Sequence, residues 1–136
     1  MNPPGNHRAG DRPEAFVLAG KDIQRKSQRI GAVSTEDRAF RKFFGTTAVV
    51  TSTLWRLLAA NDKILAESGI KHLLWMLHFL RDYPKLGTTC SMAGGSKGAV
   101  DPKTLRRYIG QLIYAVSDME PDVVSVFTVR ANVQLN

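Results

Sequence analysis

The side chains in this sequence that are grouped for chemistry are bases rather than nucleophiles. Lys103, Thr104, Arg106 and Arg107 follow directly on Asp101 and Pro102. At helical spacing the three bases lie opposite an apolar face of Leu105, Tyr108, Ile109, Leu112, Ile113 and Val116. Ammonium and guanidinium groups suit phosphate oxygens, and the arginine fork also matches the acceptor pair of guanine in the major groove. Arg106 and Arg107 are therefore candidates for base edges or phosphates, Lys103 and Thr104 for phosphates, and Gly110 for a close backbone approach. Lys97, Arg41 and Lys42 are further candidates for the same DNA-binding surface. A solvated basic face on an ordinary bundle helix would show the same spacing, so both readings stand at this point.

Other constellations lead to no chemistry. Cys90 has no second cysteine, and the spacing of His72 and His78 fits neither a zinc finger nor the HExxH pattern. No metal or cofactor is expected. The run Gly94-Gly95-Ser96-Lys97-Gly98 lacks the GxxxxGK[ST] spacing of a phosphate loop and the strand before it, so a turn is the expectation. The acids fall at helix caps and ends instead of converging as two-metal chemistry requires. Trp55 and Trp75 read as core residues. No catalytic residue can be assigned, and the chain is not expected to be an enzyme.

Charge points the same way as the basic cluster. Nineteen Lys and Arg against twelve Asp and Glu give a net +7 over 136 residues, a field that favours anionic partners. A hydrophobic fraction of 43% is that of a folding domain, and the length suits one domain with tails. The lone cysteine fits a reducing compartment, and the Pro- and Gly-rich start does not resemble a secretory leader. A nuclear or cytoplasmic protein is expected, not a secreted one. The apolar run Leu73 to Leu80 is far shorter than the roughly 20 residues of a membrane helix, so no membrane partner is expected.

These residues need elements to position them, and the pattern predicts an all-α bundle of four or five helices with flexible termini. Residues 1–33, rich in Pro, Gly and charge, read as a flexible basic arm, with Lys21 to Arg29 a solvated run or a phosphate contact. Residues 34–121 read as the helical domain. A first helix begins at a Ser34 cap and ends at Gly45; a second spans Thr47 to Ala60; a third runs from Ile70 to Tyr83, apolar round most of its circumference. A short helix over Thr89 to Ala93 precedes the glycines, and a fourth main helix starts at Asp101-Pro102 and runs to Ser117. The expected core holds Phe40, Phe44, Leu54, Leu58, Leu73, Leu77, Leu80, Leu105, Ile109, Leu112 and Ile113. Residues 122–136 read as a loosely ordered tail whose β-branched run, Val123 to Val133, has no evident strand partner.

A buried helix, a short glycine-bounded helix and a capped helix with bases in its first turns are the parts of a helix-turn-helix in their usual order. Beyond this, three segments carry a resemblance: FRKFFGTT with a following TLWRLL, then HLLWMLHFLRDYPKLGTTCSMAGG, then VDPKTLRRYIGQLIYAVSDMEP. In their order and spacing, from Arg38 to Pro121, they resemble the region before the nuclease domain in eukaryotic Harbinger-like transposases of the DDE superfamily. The resemblance implies a helix-turn-helix that binds double-stranded DNA, with Asp101 to Ser117 as its recognition helix. It implies no nuclease activity here, since the three metal-binding acids of that family belong to a downstream domain and the tail VVSVFTVRANVQLN departs from the family's continuation. A truncated or domesticated transposase-like protein is the resulting expectation, with a second copy or a separate catalytic chain as further candidate partners. The rival expectation is a structural or interaction module with no DNA contact.

Overall fold

The computed structural model describes residues 12–64, 68–82 and 86–119. Among them the chain is all-α: α1 (Pro13–Ile23), α2 (Val33–Phe44), α3 (Ala48–Ala60), α4 (Ile70–Asp82), α5 (Leu86–Ala93) and α6 (Pro102–Asp118), with a 3-10 turn over Gly95–Lys97. The strand considered for Val123 to Val133, the tail 122–136 and the start of the arm lie outside the described residues.

The helix over residues 13–23 corrects the expectation of a mobile arm. Pro13 opens α1 and Glu14 lies in its first turn, both suited to an N-terminus. Phe16, Gly20 and Ile23 recur on one face and are buried. Phe16 is fully enclosed and meets Trp55 of α3 edge-on, with ring centroids 6.5 Å apart. Gly20 is one of the glycines that make this segment read as a flexible arm, yet its lack of a side chain is what lets α1 pack: a Cβ there would stand 2.8 Å from the ring of Phe44. The basic run that follows folds back on the domain. Arg25 donates to the carbonyl of Ser91 at 2.8 Å, and Gln28 donates to the carbonyl of Leu18 at 3.2 Å.

Local signals account for most other boundaries. α2 starts at Val33, just ahead of the expected Ser34 cap, because Glu36 in its first turn accepts from the Gly31 amide at 2.7 Å and pairs with Lys21 at 3.0 Å. It stops at Gly45, whose φ of +85° is the left-handed geometry of a C-terminal glycine. The Thr47 hydroxyl caps α3 by accepting from the Val50 amide. Thr51 and Ser52 are buried on α3, where each hydroxyl donates to a carbonyl one turn back, leaving no unsatisfied donor. α5 extends a turn earlier than its expected start at Thr89.

α4 is the centre of the bundle. Every residue from His72 to His78 is buried, as a helix apolar on most sides requires. α6 packs along it, and α1, α2 and α5 cover its other sides. The Trp75 indole donates to the Ala93 carbonyl at 2.7 Å and so ties α4 to the end of α5. Of the expected core, Phe40, Phe44, Leu54, Leu58, Leu73, Leu77, Leu105, Ile109 and Leu112 are buried and Ile113 packs against them in part. Leu80 is the exception at 42% exposed. It continues the stripe of Leu73 and Leu77 by one turn, past the point where the neighbouring elements cover α4.

Candidate nucleic-acid interface

α6 begins as its sequence demands. The Asp101 carboxylate accepts from the Lys103 amide at 3.2 Å and Pro102 occupies the first helical position. One side of the helix is then buried through Leu105, Tyr108, Ile109, Leu112 and Ala115. The other side is solvent-facing: Lys103, Arg106, Arg107, Gly110, Tyr114 and Ser117 are all exposed. At ~100° per residue these six fall within an arc of about 100°. Thr104 is half-buried at the edge of that face.

Acids are held away from it. Asp101 is engaged as the cap, and Asp118, at the far end of α6, pairs with Lys63 from the loop after α3. The exposed face between them carries three positive charges and no negative one. Tyr114, 77% exposed, is the most exposed large apolar side chain among the described residues. It was not singled out from the sequence, although it lies on the same stripe three turns beyond Lys103, and periodicity alone would have placed it there.

The remaining candidates lie on other elements. Arg41 and Lys42 are exposed in the last turn of α2. Their neighbour Phe43 stacks on His78 with centroids 4.4 Å apart, and Gly45 lies against the Arg81 side chain. Both contacts are in the C-terminal half of α4, whereas α6 meets the N-terminal end through His72, stacked on Tyr108 at 3.8 Å. His72 and His78, six positions apart, are separated by about 9 Å along the axis of α4. Lys97 is exposed in the 3-10 turn, next to Ser96, whose amide donates to the Asp22 carboxylate at 3.3 Å. The glycine-rich run is thus a turn that closes on the end of α1. Gly95, at φ +56°, leaves no room for a Cβ, which would stand 2.4 Å from the Asp22 carboxylate.

The basic residue that the fold does add is Lys71. Its ammonium lies 5.8 Å from the Trp75 ring centre, over the ring, and the Arg107 guanidinium lies 4.9 Å from that of Tyr108. Between these rings His72 contacts both, edge-on to Trp75 at 4.6 Å and face-on to Tyr108. His72 is buried, and its Nδ1 accepts from the Gly69 amide at 2.8 Å, the position that Glu takes in a capping box. Burial, then the charges of Lys71 and Arg107, push its pKa down to about 4. It is a neutral structural ring. Cys90 is a buried residue of the core whose carbonyl accepts from Val100 at 2.8 Å. Among the described residues, no group of three His, Cys, Asp or Glu side chains is placed to hold a metal ion.

The fold and this face define a small all-α domain with one two-faced basic helix packed on a buried central one. The connection from α5 to α6, residues 94–101, is longer than the roughly three- to four-residue turn of a compact helix-turn-helix. No known family, curated protein or solved structure matches the chain. No helix among the described residues is long and apolar enough to cross a membrane.

Proposed function

We propose that this chain is a DNA-binding domain that lays the exposed face of α6 into the major groove of a duplex and catalyses no reaction itself. The observation that carries this reading is the composition of that face: Lys103, Arg106, Arg107, Gly110, Tyr114 and Ser117, exposed together, with the flanking acids engaged elsewhere. An α-helix fits the major groove, and its N-terminal part is the one that reaches base edges. Here the three bases occupy that part. Gly110, exposed and without a side chain, permits the backbone to come close. The resemblance to the region before the nuclease domain in Harbinger-like DDE transposases is consistent with this role, as is a nuclear location. Arg41, Lys42 and Lys97, carried on other elements, would serve as additional phosphate contacts.

The test is binding to duplex DNA across a salt series, wild type against Arg106→Ala/Arg107→Ala, with helicity checked by circular dichroism. Salt-sensitive binding that weakens in the double variant is expected, because neutralised phosphates release counterions. Absence of binding at low salt would defeat the proposal. A second reading, contact with another copy or another protein, is favoured by one observation: Ile30 and Val33, 49% and 74% exposed, are three positions apart at the start of α2. Light scattering over a concentration series separates a self-associating module from a monomeric DNA binder.

A further inference from the structure

We infer that Lys71 and Arg107 together grip one strand of the phosphate backbone, so that the Arg107 edge of α6 faces phosphates while the Arg106 edge is turned toward bases. This rests on the DNA-binding reading above and assigns unlike roles to two adjacent arginines. The two cations come from different helices, and only the packing of α4 on α6 brings both to one ring cluster. Their link is the ring cluster of Trp75, His72 and Tyr108. Lys71 lies over one end of it and Arg107 over the other, with the Trp75 and Tyr108 centroids 6.0 Å apart.

Three features suit this pair to phosphate. Both side chains are exposed, and neither has a carboxylate partner among the described residues. Each rests on an aromatic face, an attraction that limits its wandering before an anion arrives. A guanidinium stacked on a ring keeps its N–H edges free, so Arg107 can hold the ring and two phosphate oxygens at once. The rings are buried and cannot withdraw: Trp75 is 3%, His72 6% and Tyr108 8% exposed. The site is therefore built on the core and not on mobile surface chains. Arg106 projects from the other side of the exposed arc, about 100° away on the helix, with no comparable support from α4.

The experiment uses the full chain and a short mixed-sequence duplex, and compares the salt dependence of binding for wild type, Lys71→Ala, Lys71→Arg and Arg107→Ala. Each loss of a phosphate contact lowers the slope of log Kobs against log salt by about 0.9. A slope reduced in Lys71→Ala and Arg107→Ala and restored in Lys71→Arg is the expected result. A wild-type slope in Lys71→Ala, with a reduced one in Arg107→Ala, would overturn the grip and leave the DNA-binding reading intact. Failure of the wild type to bind would remove both. His72 supplies a second readout, since both cations act on it. Duplex that neutralises them raises its pKa above about 4 in a nuclear magnetic resonance titration, and an unmoved pKa in the bound state counts against the proposal.

Discussion

α4 and α6 lie side by side and are built on opposite principles. α4 is enclosed on all sides from His72 to His78, with Leu73, Leu74 and Met76 at or below 1% exposure. α6 buries one face and gives the other wholly to solvent. A helix wrapped by its neighbours has no surface with which to recognise anything, and its side chains serve stability. A helix with a free face can change that face with little effect on folding. The same pair therefore divides into a part that holds the domain together and a part available for a partner.

Truncation in α4 is the strongest way to break that division. Leu73→Ala removes a fully buried side chain and should cost about 2–5 kcal/mol through lost burial and a residual cavity. Lys103→Ala, on the open face, should stay within ~0.5 kcal/mol. Urea denaturation of both variants measures the contrast, and comparable losses would show that α6's outer face is not free.

His72 sharpens the comparison through pH. Its folded pKa, about 4, lies below the ordinary 6.5, so the fold favours the neutral ring. Stability from this group is full above about pH 6.5, where the unfolded chain is also neutral, and declines as the unfolded chain takes up a proton that the folded chain refuses. The decline should run from about 6.5 to about 4 and then level. His72→Gln can still accept from Gly69 but does not titrate. Melting temperature followed against pH should lose that sloping window in the variant, and an unchanged profile would mean that another group carries it.

Gly110→Ala gives a smaller effect on stability than Leu73→Ala, and its sign is opposite. An exposed glycine inside a helix, with open space where its Cβ would go, should stabilise the fold by ~1 kcal/mol when replaced by alanine. If α6 sits in a groove at close range, the same methyl should weaken duplex binding. A variant that melts higher and binds equally well would place Gly110 outside the contact.

Some of this was legible without coordinates because the physical signals are short-ranged. Asp101 and Pro102 set the start of α6 within a single turn, and the spacing of Leu105, Ile109 and Leu112 shows which side is buried whatever covers it. Gly45 ends α2, and the apolar circumference of α4 declares a central helix, for equally local reasons. The first helix was not legible in the same way. Phe16 reads as part of a helix face only once Trp55 is there to cover it, and Gly20 looks like a breaker until Phe44 is seen against it.

The amino-acid sequence by itself determined the individual helices from Val33 onward, the two faces of α6 and the excess of positive charge, all properties carried by residues within a turn or two of one another. Only tertiary structure decided which charges share a surface. Lys71 joins Arg107 because α4 packs its N-terminal end on α6, and Arg41 and Lys42 are kept apart from them because α2 packs against the other end. A charge can be counted along a chain, but its neighbours in space follow from how apolar faces far apart in sequence are buried against each other.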